Sequence, residues 1–266
     1  MKTKAIKPAV ALLLFIATMA LNSCKKENAD VDFVTANNQA LADEAAQTGS
    51  VSYKTDDANS LLAGCAVVTR DTVSFPRVTT IDFGTGCTGA DGKVRKGIIT
   101  VTHDGPYREA GTTITITFTN YFVNDNQVLG TKTVHNDGLN NNGNLSFTVT
   151  VSGQIIRANG QGTITWTSQR TREWIAGSAT STRDDDRYSI TGSASGTASN
   201  GDAFRATIVN ALVRNLELGC RRHFVAGSVL IERTGKPDRT IDFGNGACDD
   251  EATVTINGVS HTITLH

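Results

Sequence analysis

This chain has no run of basic residues, no C-x-x-C pair, no H-x-H or H-E-x-x-H pair, and no apolar stretch long enough to cross a membrane. Each absence narrows the function. With 25 Lys and Arg against 26 Asp and Glu, nothing offers the basic patch that phosphate neutralisation needs, which argues against nucleic acid as a partner. Without paired cysteines or histidines, neither a four-cysteine metal site nor a histidine zinc site has its usual spacing. The longest apolar run, Ala9 to Leu21, has 13 residues. As a helix that is about 20 Å, short of the roughly 20 residues a membrane span requires. A serine nucleophile elbow is missed by one residue, because Gly192-Ser193-Ala194-Ser195-Gly196 carries alanine at its centre. Proline occurs only four times, and Pro76, Pro106 and Pro237 all fall near predicted strand ends, where a missing N–H costs least.

What is present begins at the N-terminus. Lys2, Lys4 and Lys7 precede the apolar run, and Leu21-Asn22-Ser23-Cys24 comes directly after it. This is the layout of a cleaved secretory signal, residues 1–23. Leu-x-Ser-Cys at that place resembles the lipobox of bacterial lipoproteins. The resemblance implies that Cys24 is diacylated and becomes the first residue of the mature chain. Lipid attachment then rests on acyl chains, at about 0.8 kcal/mol per buried methylene. Cleavage removes three lysines and no acid, leaving 22 basic and 26 acidic residues and a net charge near −4. Both methionines, Met1 and Met19, leave with the signal.

With Cys24 lipidated, Cys65, Cys87, Cys220 and Cys248 remain, an even number that reads as two disulfides in an exported chain. Residues 24–60 are polar and weakly patterned and read as a flexible tether, with a short helix over Asp32 to Gln47. From about Leu61 the hydrophobic period changes from 3.6 to 2. Thr113 to Thr119 alternates strictly, with Ile114, Ile116 and Phe118 on one face and four threonines on the other. Ser146 to Ser152, Thr163 to Thr167, Ala252 to Ile256 and Thr262 to Leu265 repeat the pattern. Half-buried antiparallel strands have this signature, and β-branched threonine suits their wet face. Turn signals separate the runs: Ala90-Asp91-Gly92, Asn124-Asp125-Asn126, a long Asn136–Asn144 loop, Asn159-Gly160, Asn200-Gly201 and Asn257-Gly258. The expectation for 61–266 is a single all-β domain, an antiparallel β-sandwich or a large curved antiparallel sheet. Such a sheet has edges able to recruit a partner strand.

The chain also repeats itself. Gly64-Cys65 leads to Thr80-Ile81-Asp82-Phe83-Gly84 and Cys87, and Gly219-Cys220 leads to Thr240-Ile241-Asp242-Phe243-Gly244 and Cys248. The repeat favours Cys65–Cys87 and Cys220–Cys248 as the disulfides of a duplicated corner. A second reading makes Asp82 and Asp242 equivalent Ca²⁺ ligands, helped by Asp91 or by Asp249, Asp250 and Glu251. Taken with the lipobox and the lysines after it, this corner and the stretches Thr163–Trp174 and Ala252–Leu265 resemble envelope lipoproteins of Bacteroidota. The resemblance implies an envelope lipoprotein and carries no catalytic residues with it; the expected location is the outer membrane, lipid-anchored, on its periplasmic or its surface face.

Several side chains stand out as candidate sites. Trp174 shares strand parity with Arg170 and Arg172, which suggests a rim where an aromatic face and two guanidinium groups meet a glycan or protein ligand. Trp166, in phase with Ile164, is expected in the core, while Tyr121 and Phe122 are further aromatics for a sugar-stacking surface. Asp184, Asp185 and Asp186, framed by Arg183 and Arg187, form the densest carboxylate group and a candidate Ca²⁺ site, although such a run is also what a self-neutralised surface loop looks like. His103, at a strand end, is expected at the surface. Together these features point to a membrane-anchored binding or structural module, more a non-enzyme than an enzyme, with a glycan hydrolase of unidentified carboxylates as the alternative.

Overall fold

The computed structural model describes residues 65–265, apart from positions 72, 90, 91 and 222. Cys24, the tether and the helix expected over Asp32–Gln47 lie outside the described residues, as does Asp91. The described chain forms fourteen strands. The first five are β1 (Val67–Arg70), β2 (Arg77–Asp82), β3 (Cys87–Thr88), β4 (Val94–His103) and β5 (Thr113–Val123). Next come β6 (Asn126–Leu139), β7 (Leu145–Ile156), β8 (Thr163–Ala176), β9 (Arg187–Thr197) and β10 (Ala203–Asn215). The last four are β11 (Phe224–Arg233), β12 (Lys236–Asn245), β13 (Glu251–Ile256) and β14 (Val259–Thr264). All pairings are antiparallel, and the order in the sheet is the order in the sequence, with β3 set aside against β4. The result is one continuous meander that does not close into a barrel, because β1 and β14 do not pair.

The period-2 segments make these strands for the reason the sequence suggests. Ile114 and Ile116 are almost completely buried, while Thr117 and Thr119 on the opposite face are exposed. Burying each such aliphatic side chain is worth about 1.5–3 kcal/mol. One face of the sheet therefore becomes the core, in two clusters. The larger runs from Ile81 on β2 to Phe204 on β10 and Leu216. The smaller runs from Ile190 on β9 to Val254 on β13. No α-helix covers that face among the described residues, yet Val101, Ile116 and Phe147 are each 0% exposed, Phe147 with the Tyr107 ring stacked on it at 5.0 Å.

Turns fall where asparagine and glycine allow positive φ. Asn124 and Asp125 (φ 47° and 65°) join β5 to β6, and Asn257 and Gly258 (φ 51° and 78°) join β13 to β14. Both are two-residue hairpins with positive φ at each central residue, the type I′ geometry that matches strand twist. The long loop expected at Asn136–Asn144 is shorter than its composition suggests. Strand β6 continues to Leu139, and Asn136 is buried, donating from Nδ2 to the Tyr107 carbonyl at 2.9 Å. A side chain that satisfies a distant loop behaves as core whatever its turn propensity.

Both disulfides form as the repeat implied, Cys65–Cys87 and Cys220–Cys248, with Cα atoms 5.7 and 4.8 Å apart. In each copy of the corner the aspartate caps its own turn. Asp82 Oδ1 accepts from the Gly84 amide at 2.7 Å, and Asp242 Oδ1 accepts from the Gly244 amide at 2.8 Å. The two aspartates are equivalent, and what they share is a backbone turn.

Candidate functional site

The Trp174 group does not form the expected rim. Arg170, Arg172 and Trp174 do share one face of β8, as parity required, but that face is the inner one, and Arg172 and Trp174 are 2% and 3% exposed. Arg172 donates to the Tyr107 hydroxyl and lies over the rings of Phe147 and Tyr188 at 5.0 and 5.2 Å. Trp174 donates from Nε1 to Asp186 Oδ1 at 3.1 Å and packs on Tyr188 at 5.4 Å. Burial, with Tyr107 and Asp186 adding to it, holds the Tyr188 phenol well above its usual pKa, so it stays protonated. The expected rim is a buried cage around one guanidinium. It exists because aromatic faces and a phenol oxygen replace the water that Arg172 gives up.

The aspartate run does not converge. Asp184 reaches out to Arg221, Asp185 Oδ1 accepts from the hydroxyls of Thr180 and Thr182 at 3.0 and 3.2 Å, and Asp186 turns inward to Trp174. Among the described residues, the set of three metal-ligating side chains whose ligand atoms lie within 4.8 Å of one another is Glu217, Cys220 and Cys248. Both of its sulfurs are committed to the disulfide.

His103 is also inside, 4% exposed rather than at the surface. Desolvation, and then the Arg77 charge, lower its pKa to about 4, with Asp104 pulling weakly the other way. Tyr121, offered as a sugar-stacking aromatic, is completely buried and stacks on Phe118 at 5.5 Å. Trp166 is core, as its phase required.

With these groups inside, the polar surface of the sheet is its outer face, where the strand registers align hydroxyls from strand to strand. Thr80, Thr100, Thr117, Thr131, Ser152, Thr167 and Ser195 stand directly opposite one another from β2 through β4 to β9. A second row, two residues along, holds Thr102, Thr115, Thr133, Thr150, Gln169, Ser193 and Thr207. Neighbours within a row lie about 4.8 Å apart, and successive rows about 6.8 Å apart.

Over β6–β10 this face sinks into a shallow trench of about 690 Å³. One wall is the hydroxyl row at Ser152, Thr167 and Ser195; the other is Leu129, Gln154, Thr165 and Thr197. Between the walls the floor is the row Gly130, Gly153, Trp166, Gly196 and Phe204, whose side chains, where they have any, point to the core. The glycines are obligatory. A Cβ at Gly130 would sit 2.1 Å from the Ser152 carbonyl, and one at Gly196 would sit 1.9 Å from the Thr165 carbonyl. At Gly153 it would meet the Trp166 ring at 2.3 Å. The floor is thus bare peptide backed by an indole, and no lining residue is charged. These residues are not visible as a group from the sequence. Alternation shows that each threonine faces out, but only the inter-strand register shows which ones share a row.

Comparison with known proteins finds no matching family model, no matching curated protein and no matching solved structure.

Proposed function

We propose that this chain is an exported, lipid-anchored binding module, attached to the outer membrane through Cys24, which uses the trench on its outer face to hold a neutral glycan. The observation that carries the glycan reading is the chemistry of the trench walls. Hydroxyls and one carboxamide donate and accept equally well, as a polyol does, and no charged side chain lines them to select an ion. The floor row turns its side chains to the core, so a sugar ring lying in the trench meets main chain rather than side chains there. The lipobox-like segment, the likeness to Bacteroidota envelope lipoproteins and the two disulfides support the export reading.

The test is a titration of neutral oligosaccharides against the wild-type chain and against Thr167→Arg, which fills the trench from an exposed position. Saturable binding that Thr167→Arg reduces at least tenfold, at unchanged melting temperature, is the expected result. Binding that Thr167→Arg leaves intact defeats the trench, and release of reducing sugar defeats the non-enzymatic reading. The anchor is tested separately. Cys24→Ser is expected to move the protein out of the membrane fraction, and unchanged retention rules out lipidation there.

A further inference from the structure

The last strand of the sheet is built differently from the first. Strand β14 has a strand partner on one side only among the described residues, and its six residues, Val-Ser-His-Thr-Ile-Thr, include no proline, lysine, arginine or carboxylate. Its register against β13 runs from Ile256↔Val259 to Glu251↔Thr264 without a bulge. Bulges, charges and prolines are the devices that ordinarily blunt an edge, and β14 has none of them. At the other edge, β1 is four residues long, ends on Arg70 and starts two residues after the disulfide-bonded Cys65.

The hairpin fixes which groups of β14 face outward. A two-residue type I′ turn makes Ile256 and Val259 a hydrogen-bonded pair, and such pairs then alternate along the ladder. The Leu265 amide donating to the Asp250 carbonyl at 2.6 Å has the parity this requires. Val259, His261 and Ile263 therefore spend their main-chain groups on β13, and the N–H and C=O of Ser260, Thr262 and Thr264 point to the open edge.

We infer that β14 is a self-association edge, which joins a second copy of this chain about a two-fold axis at Thr262. Antiparallel pairing about that axis sets Thr262 against Thr262 of the second copy and Ser260 against Thr264. All three outward residues on each strand then exchange both main-chain hydrogen bonds, six bonds in all. Thr–Thr and Ser–Thr contacts are favourable cross-strand pairs, and they extend the outer hydroxyl face, where Thr255 Oγ1 already meets Ser260 Oγ at 2.8 Å. On the inner face His261 meets Ile263, so no like charges oppose one another. A two-fold contact uses the same edge twice and closes at the dimer, leaving the short, charged β1 edge unused. The inference depends neither on the glycan nor on the anchor.

Sedimentation of the full chain in non-ionic detergent, over a wide concentration range, tests it. A concentration-dependent monomer–dimer equilibrium is expected. Thr262→Pro removes an N–H that faces the open edge and is expected to give monomer. Thr262→Lys sets two ammonium groups opposite each other at the axis and is expected to raise the dimer dissociation constant at least tenfold without lowering the melting temperature. Monomer at every concentration overturns the inference, as does a dimer that Thr262→Lys leaves unchanged. Open-ended assemblies also overturn it, since they require β14 to pair with β1 of the next copy.

Discussion

Arg172 shows how a long cation is kept inside a sheet. Its guanidinium lies over two aromatic rings and donates to a phenol, so shape matters as much as charge. Arg172→Lys keeps the charge and loses the planar stacking and the fork of donors. A loss of about 2–3 kcal/mol in urea unfolding is expected, and a change below about 0.5 kcal/mol counts against the cage. His103 gives a pH dependence of definite sign. Its folded pKa, about 4, lies below the ordinary value of 6.5, so the native state binds fewer protons than the unfolded chain between those limits. The stability contributed by neutral, buried His103 is fully present above pH 6.5 and is lost as the pH falls toward 4, by up to about 3 kcal/mol. Denaturation midpoints of wild type and His103→Leu at pH 7 and pH 4.5 check this, the variant losing less stability on acidification. Neither placement is legible in the sequence. Parity groups Trp174 with Arg170 and Arg172 correctly, but hydropathy assigns an arginine face to water. The partners that reverse the assignment, Tyr107, Phe147 and Tyr188, come from three other segments of the chain.

At the level of strands and turns the sequence is far more informative, because hairpins are local. The Asn-Gly and Asn-Asp signals mark their turns, and the Thr-Ile-Asp-Phe-Gly repeat marks both disulfides and the aspartate-capped corners. The Asn136–Asn144 segment is less of a loop than its turn-like composition suggests, since Asn136 serves the core. Beyond Leu139 the chain makes a short asparagine turn held from outside. Asn144 and Asn142 donate to Glu173 Oε1 at 2.8 and 3.3 Å, and with Asn140 they hold the Glu173 carboxyl below its ordinary pKa. The corners carry an energetic consequence. Each disulfide closes a loop of 22 or 28 residues, worth about 3–4 kcal/mol in the chain-entropy picture. Replacing Cys220 and Cys248 together by serine is expected to lower unfolding free energy by about that amount, measured by urea titration without reductant. Adding reductant to the wild type is expected to cost more than the double replacement, because it opens both corners. Equal losses would mean that Cys65–Cys87 contributes nothing.

Across the whole molecule, the meander makes stability a matter of position. Apart from β3, each strand is hydrogen-bonded only to its neighbours in sequence, so the sheet can open from either end without disturbing its centre. The central strands β6, β7 and β8 have 14, 12 and 14 residues, whereas β1 and β14 have four and six. Long strands flanked on both sides bury rows such as Val134, Val149 and Arg170, while β14 leaves most of its side chains exposed. Amide hydrogen exchange is therefore expected to be slowest in β6–β8 and to quicken toward both edges. Protection that is uniform from β1 to β14 would mean that the sheet opens as one unit and that the meander has no weak ends. The same measurement reaches the edge chemistry of β14. In dilute protein the outward amides of Ser260, Thr262 and Thr264 exchange freely, while those of His261 and Ile263 are held by β13. Concentrating the protein is expected to slow the first three and leave the other two unchanged. An equal slowing of all five would instead report a general stiffening of the β13–β14 hairpin, with no second strand on its open side.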